Sequence, residues 1–307
     1  MGIAVFGAVF VDVKGYPDPG FSPKGRNSGQ VRTVHGGVSR NIAEDIANVE
    51  LRPAFIGLVD ETGTGTDVIE KLRRHKVDTH WMRRVPDGMG TWLAVFDNEG
   101  DVAASVSKRP DLSEIAHILN EYGDEIIGNC DSVVVELDMD EKILSVVFRL
   151  AEKYGKDVYG AVSNMNIAIE RRDFLQRVRC FVCNELEAGL LFMEDYSGLS
   201  ASEMEAVLAE KTERANIRAM VVTMGVQGAV YAERGGAHGF CPPYPVEVRD
   251  TTGAGDAFFS GVTIGLTYGK SLGEACSIGT KLASSVIATT ENVCPRFLPA
   301  EFGLDPK

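Results

Sequence analysis

Residues 250–261 read Asp-Thr-Thr-Gly-Ala-Gly-Asp-Ala-Phe-Phe-Ser-Gly. Gly253, Ala254 and Gly255 are small enough for backbone amides to approach an anion closely, and Asp256 follows at the predicted first turn of an apolar helix. Amides at a helix N-terminus have no intrahelical partner and form a natural anion site. A carboxylate placed there can accept a proton from a hydroxyl while the amides hold the group being transferred. The alternative is a glycine-rich turn in which Asp256 only complements the helix dipole.

Around this stretch, short apolar runs alternate with helical patterns. Continuous Val, Ile and Phe runs are typical of strands buried on both faces of a parallel sheet. The predicted strands cover residues 3–9, 54–58, 132–137, 158–162, 180–183, 219–223 and 229–232. The predicted helices cover residues 41–48, 65–74, 141–154, 201–215, 257–268 and 273–289. This alternation predicts a sandwich of helices around one open sheet.

Two segments interrupt the alternation. Residues 12–35 are polar and rich in Gly and Pro. Residues 90–108 alternate in hydrophobicity on either side of a polar stretch at 97–101, which predicts a β-hairpin. Both segments can be surface excursions of the main domain, or together they can form a small separate sheet that covers a site.

Residues 36–43 read Gly-Gly-Val-Ser-Arg-Asn-Ile-Ala. Gly36 and Gly37 let the backbone pack closely against a ligand, and Asn41 offers a donor and an acceptor that suit sugar hydroxyls. An ordinary helix entry explains the same pattern. Asp12 lies at the end of the first predicted strand, where α/β sheets place ligand-binding residues. Its carboxylate can accept two adjacent hydroxyls, although an isolated Asp at a strand end is often a solvated cap.

Residues 250–261 resemble the C-terminal signature of the ribokinase-like (PfkB) family of carbohydrate and nucleoside kinases. The similarity covers nearly the whole chain, and the motifs occur in the family's order. It implies an α/β three-layer sandwich over residues 1–307, with a mostly parallel central sheet. It also implies a small β-sheet lid, whose strands come from about 12–35 and 88–110. The implied activity is phosphorylation of a primary hydroxyl by ATP.

The resemblance also implies roles for individual residues. Asp256 would be the catalytic base, and the loop Gly253, Ala254 and Gly255 the anion hole. The implied substrate-binding residues are Asp12, Lys14, Gly36, Gly37, Asn41 and Thr91. The implied ATP-binding residues are Asn184, Glu187, Thr223, Gly225, Gly228 and Asn292. Asp250 and Thr252, with carbonyl groups of 288–294, would bind a monovalent cation, expected to be K⁺.

Two of the nucleotide-side motifs have simpler explanations. Asn184 and Glu187 match the family's Asn-x-x-Glu element, in which the carboxylate organises hydrated Mg²⁺. The same spacing fits a helix capping box, and both can hold together. Residues 223–228, Thr-Met-Gly-Val-Gln-Gly, resemble the loop that approaches the ATP phosphates, but an ordinary β-turn explains so short a pattern equally well.

Within the family, residues 12–16, 40–43 and 90–101 are most similar to pseudouridine kinases. This implies pseudouridine as the substrate, with Lys14 and Thr91 facing the nucleobase. Several positions depart from that subfamily, among them Ser39 and the stretch Gly-Ala-Val-Ser at 160–163. A ribokinase- or fructokinase-type sugar kinase, another nucleoside kinase, and a non-catalytic binding protein of the same fold therefore remain alternatives.

Composition narrows the remaining possibilities. The formal net charge of −13 argues against nucleic-acid binding, which needs clustered Lys and Arg. The apolar N-terminus has no basic region ahead of it, and no apolar run reaches membrane-spanning length, so a cytoplasmic protein without a membrane partner is expected. Cys180 and Cys183 have metal spacing but fall on a strand, where residues three apart face opposite sides. A homodimer formed through the lid is also expected.

Overall fold

The structure, a computed structural model, describes residues 2–18, 20–98 and 102–305. Its strands are β1 (Ala4–Phe6), β2 (Val9–Pro17), β3 (Gly29–Gly36), β4 (Ala54–Ile56), β5 (Leu58–Val59), β6 (Arg83–Arg84), β7 (Met89–Phe96), β8 (Val102–Lys108), β9 (Val133–Glu136), β10 (Val158–Ala161), β11 (Phe181–Asn184), β12 (Ala219–Thr223), β13 (Ala229–Glu233) and β14 (His238–Cys241). Its helices are α1 (Val38–Asn48), α2 (Gly63–Arg74), α3 (Ser113–Asn129), α4 (Glu141–Lys153), α5 (Met165–Glu170), α6 (Arg172–Arg177), α7 (Glu185–Phe192), α8 (Ala201–Arg214), α9 (Ala254–Thr267) and α10 (Leu272–Ile287).

Eight strands form the central sheet, in the order β14-β13-β12-β11-β10-β9-β1-β4. The six strands from β12 to β4 are parallel to one another, and β13 and β14 add an antiparallel edge. The predicted mostly parallel sheet is therefore confirmed. Because ligands bind at the carboxyl ends of parallel strands in open α/β sheets, this edge is where a site is expected.

Helices cover both faces of the sheet, which confirms the three-layer sandwich. Side chains alternate along each buried strand, so Val133 and Val135 belong to one apolar cluster with α3, α4 and α8, while Val134 belongs to the cluster with α1, α9 and α10. Cys180 and Cys183 fall in opposite clusters for the same reason. Both are buried free thiols, in agreement with the strand interpretation.

A separate sheet of four strands, in the order β3-β2-β7-β8, is called the lid sheet below. The hairpin predicted over 90–108 is present as the antiparallel pair β7 and β8. Of the residues placed in these two segments, Pro19, Glu99, Gly100 and Asp101 lie outside the described residues.

One expectation about the elements was wrong, and one long helix was missed. The strand predicted over 3–9 is two strands, because the chain leaves the central sheet after Phe6 and continues as β2 in the lid sheet. Helix α3 was not predicted, although Ile115, Ile118 and Leu119 have helical spacing and are buried against α4. Within the described residues, no helix combines the length and the apolar character needed to span a membrane.

Candidate active site

The signature loop and the first turn of α9 lie at the carboxyl edge of the sheet. Gly253 caps the helix with φ of +83°, a conformation that L side chains rarely adopt, and a Cβ there would meet the Asn292 carbonyl oxygen at 2.1 Å. Asp256 is the third residue of the helix. A Cβ added at Gly255 would meet open space, so this stretch of backbone faces a cavity. The sequence places amides and a carboxylate side by side, as the anion-site hypothesis requires.

Asp256 lies in a cavity of about 160 Å³, called the transfer cavity, above the ends of β10, β11 and β12. The wall contains Ala161, Asn184 and Thr223, one residue from each of these strands. Thr223 and Gly255 also line the neighbouring cavity on the β13 side. Two adjoining cavities thus meet at the start of α9, which is the arrangement that transfer between two bound ligands needs.

Asn41 joins the N-terminal motif to the signature loop. Its Nδ2 donates to Asp256 Oδ2 at 2.6 Å, across 215 residues of sequence. Its Oδ1 accepts from the Arg40 guanidinium and, at 3.3 Å, from Asn292 Nδ2. Because both donors hold Oδ1, the amide nitrogen of Asn41 is directed at Asp256.

Arg40 is fully buried and organises this contact, a role that the sequence interpretation missed. Its guanidinium donates to Asn41, to the backbone carbonyls of His35 and Gly36, and to Glu44. Glu44 is also buried and lies 3.3 Å from Lys71. The i,i+4 spacing of an Arg and a Glu on one helix was the available signal.

Burial raises the pKa of Asp256 to about 6. The hydrogen bond from Asn41 and the charge of Arg40 lower it, and the charges of Asp12 and Glu187 raise it. A carboxylate with a pKa near 6 is ionised at neutral pH, and it is a stronger base than an ordinary Asp. The site therefore has a suitable acceptor for the proton of a hydroxyl.

Asp12 reaches the site from the lid sheet, not from the end of a central strand as predicted. It is the fourth residue of β2 and pairs with Val34 of β3. A Cβ built on Gly36 would lie 2.5 Å from both Asp12 carboxylate oxygens, so the carboxylate covers this glycine. Burial raises the pKa of Asp12, and the charges of Lys14 and Arg40 lower it. Gly37, with φ of +101°, packs against the Ala8 carbonyl.

The structure does not bring Lys14 and Thr91 together. Parallel register pairs Asp12 with Trp92, and Thr91 with Val11. Because side chains alternate along a strand, Thr91 lies on the opposite face of the lid sheet from Asp12 and Lys14. Their prediction as one nucleobase-facing surface was wrong for this reason. Lys14 is buried, and lines a separate cavity of about 330 Å³, called the cation cavity.

The cation cavity contains the residues predicted to bind a monovalent cation. Asp250 and Thr252 line it together with Lys14 and Asn292, and Asp250 Oδ1 accepts from the Thr252 amide at 2.8 Å. Asn292 donates to the His35 carbonyl at 2.9 Å. Its side chain lies on this side and touches Asn41, apart from the other residues predicted to bind ATP.

Those other residues lie on the β12 side of the site. Asn184 and Glu187 form a capping box at the start of α7, with reciprocal hydrogen bonds of 2.9 Å. Glu187 also lines the transfer cavity. A carboxylate beside a cavity suits Mg²⁺, which keeps several waters and takes few protein ligands. Among the residues that the structure describes, there is no cluster of three or more His, Cys, Asp or Glu suited to hold a metal.

The neighbouring cavity, of about 420 Å³, is called the nucleotide-side cavity. Thr223, Gly225 and Gly228 line its polar end, and its remaining wall is largely apolar, including Tyr244 and Val246. A short 3₁₀ helix, Gly225–Gln227, joins β12 to β13, where the alternative interpretation expected a β-turn. An apolar wall next to backbone amides suits a flat base followed by phosphates.

Two acidic residues that were not predicted as site residues lie at the carboxyl end of β9. Glu136 ends this strand, and Asp138 follows it; both are buried. The signal was present, since both stand at the carboxyl end of a predicted strand, the criterion applied to Asp12.

Comparison with known proteins identifies kinases. A model of the pfkB family of carbohydrate kinases matches residues 2–294. The chain is 35% identical over 303 residues to a guanosine-inosine kinase of Exiguobacterium acetylicum, covering 97% of this chain and 98% of that protein. It is 25% identical to the pseudouridine kinase of Escherichia coli, covering 85% and 82%.

The fold agrees with solved structures. The Arabidopsis thaliana ribokinase complexed with ribose and ATP superposes with a TM-score of 0.81 at 19% identity, covering 98% of this chain and 97% of that one. At this identity the likeness shows the fold, which is the ribokinase-like sandwich with its small separate sheet. Because the family model matches residues 2–294 and the relative at 35% identity covers 97% of the chain, this chain belongs to the pfkB family of carbohydrate kinases.

Proposed function

We propose that this protein is an ATP-dependent nucleoside kinase that phosphorylates the 5′-hydroxyl of guanosine and inosine. The observation that carries the kinase assignment is the contact of Asn41 with Asp256 at the meeting point of two cavities. The relative at 35% identity, a guanosine-inosine kinase, supports these two nucleosides. Pseudouridine, which the sequence motifs favoured, is the second candidate, and the relative at 25% identity supports it.

In this proposal, Asp256 accepts the proton of the 5′-hydroxyl as the oxygen attacks the γ-phosphorus of ATP. The bond from the 5′-oxygen to phosphorus forms, the bond from phosphorus to the β–γ bridging oxygen breaks, and ADP leaves with that oxygen. The Gly255 amide stabilises the charge on the transferred phosphoryl group, whereas the Ala254 amide already donates to the Thr251 carbonyl at 3.2 Å. Asp12 and Asn41 hold the ribose hydroxyls, and the nucleotide-side cavity takes ATP.

The proposed reaction uses two cations, Mg²⁺ and K⁺. Mg²⁺ would neutralise charge on the phosphates, and Glu187 would hold it through water. K⁺ would bind by Asp250 and Thr252 in the cation cavity. Lys14 lines the same cavity and carries its own positive charge, so its ammonium is the alternative partner of Asp250.

We also propose a homodimer through the lid sheet. The face opposite Asp12 carries the exposed apolar side chains Val31, Leu93 and Val106, which are 73%, 46% and 68% exposed. Register places them on one face, because Leu93 pairs with both Val13 and Val106, and Val31 pairs with Gly15. Exposed apolar patches of this kind often mark subunit contacts. Sedimentation of the wild type and of Val106→Glu tests this: a dimer that the substitution dissociates is expected, and a monomeric wild type refutes it.

A panel assay of ADP release tests the substrate. Guanosine, inosine, pseudouridine, ribose and fructose are compared at fixed ATP, Mg²⁺ and K⁺. We expect kcat/KM for guanosine or inosine to exceed that for both sugars at least tenfold, or about 1.4 kcal/mol in transition-state binding. Pseudouridine ahead of both purine nucleosides selects the second candidate. Ribose or fructose ahead of every nucleoside refutes the nucleoside assignment in favour of a sugar kinase.

A further inference from the structure

A cavity of about 420 Å³ lies at the ends of β1, β9 and β10, and is called the β9 cavity. Its volume is within the range of small-molecule sites. The residues that line it include Ala8, Phe10, Arg109, Glu136, Asp138 and Ser163. None of these six residues was predicted from the sequence to belong to a functional site.

The β9 cavity adjoins the transfer cavity. Ala161 and Val162 line the transfer cavity, and the next residue, Ser163, lines the β9 cavity. On the other side, Glu136 Oε1 accepts from the Ser39 amide at 3.1 Å. Ser39 stands two residues before Asn41 in the first turn of α1. A ligand whose hydroxyl reaches Asp256 can therefore extend into the β9 cavity.

We propose that the β9 cavity is the nucleobase subsite, and that Asp138 and Arg109 together select bases with a lactam edge, an N–H beside a C=O. Guanine, hypoxanthine and uracil carry this edge, whereas adenine and cytosine present an unprotonated ring nitrogen beside an amino group. The inference rests on the proposed nucleoside kinase activity, and it names the base class that this activity accepts.

Asp138 is held as an acceptor. Its side chain is only 2% exposed, and its Oδ2 accepts from the Arg109 guanidinium and, at 2.6 Å, from the Ser163 hydroxyl. Its Oδ1 accepts a long bond of 3.4 Å from the Ser163 amide, which leaves acceptor capacity on that oxygen. A carboxylate fixed in this way matches the N–H of a lactam and repels the lone pair of an unprotonated ring nitrogen.

Arg109 supplies the complementary donor. Its side chain is 43% exposed, and it donates to the Asp138 carbonyl at 3.2 Å as well as to the carboxylate. A guanidinium has five N–H donors in a fixed plane, so hydrogens remain for the base carbonyl. The Asp138 acceptor and the Arg109 donor are therefore complementary to the N–H donor and the C=O acceptor of a lactam edge.

The other walls fit a base as well. Phe10 belongs to β2 of the lid sheet, and its ring packs over Gly90, where a Cβ would lie 2.4 Å from it. Together with the apolar Met139 and Ile143 it offers surfaces for a flat ring. Burial and the charge of Asp138 raise the pKa of Glu136, which reduces the negative charge that Glu136 adds beside Asp138.

The test compares inosine with adenosine, which differ only along this edge. For the wild type we expect kcat/KM to favour inosine at least about tenfold, because a site built to bind an N–H rejects the analogue that lacks it. In Asp138→Asn, the amide can turn either a donor or an acceptor towards the base, so we expect the inosine-to-adenosine ratio to fall at least about tenfold. Asp124→Asn, the same change on an exposed surface of α3, is the matched control and keeps the wild-type ratio.

Two results for Asp138→Asn would overturn the proposal and leave Asp138 a structural acid. One is an unchanged inosine-to-adenosine ratio of kcat/KM, and the other is an equal loss for both nucleosides with a lower melting temperature. If Asp138→Asn does not fold, the same ratio is measured in Arg109→Gln, which changes the more exposed partner of Asp138. An unchanged ratio in that variant also overturns the proposal. A wild type that turns over inosine and adenosine equally well also overturns it, while the kinase assignment stands. If no nucleoside is turned over, the proposed function fails first.

Discussion

Replacing Asp256 with Asn separates the chemistry of this site from its stability. The side chain keeps its shape, and the new Asn Oδ1 can still accept the hydrogen bond from Asn41. Removal of the base is expected to lower kcat by a factor on the order of 10²–10⁴. ATP binding is expected to change little, because the nucleotide-side cavity remains intact.

The same substitution is expected to stabilise the fold. Burial raises the pKa of Asp256 from its ordinary 3.8 to about 6. A difference of about two pKa units corresponds to ~3 kcal/mol against folding while the carboxylate is ionised. Because the side chain faces an open cavity and keeps some solvent, we expect about 1–2 kcal/mol of this to be recovered in Asp256→Asn.

The sign of the pH dependence follows from linkage. Above pH 6 the group is ionised in both the folded and the unfolded chain, so the full cost applies. As pH falls from 6 towards 3.8, the folded state takes up the proton first, and the cost disappears. The stabilisation by Asp256→Asn should therefore be largest near pH 7 to 8 and shrink towards pH 4. The wild-type kcat/KM should decline below about pH 6, since the base becomes protonated.

ADP release and thermal unfolding, each measured between pH 4.5 and 8.5, check these expectations. Asp124→Asn, far from the cavities, is the control for the chemical change. Full turnover by Asp256→Asn would refute its role as the base. A variant that is less stable than the wild type at pH 7.5 would show that the ionised carboxylate stabilises the fold, contrary to the reasoning from burial.

Three further predictions concern the neighbours of Asp256. Arg40→Gln removes a charge that lowers the pKa of Asp256, so the acidic limb of the kcat/KM profile should move up by about 0.5–1 pH unit; a profile that keeps its midpoint would assign Arg40 a packing role only. Glu187→Gln should raise the Mg²⁺ concentration needed for half-maximal rate without changing the KM for the nucleoside, and an unchanged Mg²⁺ titration would leave the capping box as its whole role. Replacing K⁺ with tetramethylammonium at constant ionic strength should lower kcat, whereas equal rates would indicate that Lys14 already neutralises Asp250.

The local pattern of the sequence was sufficient for the layers of the fold. Continuous apolar runs such as 219–223 predicted buried parallel strands, and the structure has β12 over those residues. Period-2 alternation at 90–108 predicted the hairpin of β7 and β8 for the same reason, since side-chain periodicity is a local property. The glycine-rich signature likewise predicted a helix N-terminus with Asp256 in its first turn.

Register and long-range contacts were decided only by tertiary structure. Whether Thr91 shares a face with Asp12 depends on a one-residue difference in strand pairing, which no local pattern reveals. The contact between Asn41 and Asp256 joins residues 215 positions apart, and it forms because α1 packs against α9. The sequence alone determined which elements form and which residue types carry the chemistry. Only the packing of those elements decided which side chains share a cavity, because the distances between them depend on how every intervening element packs.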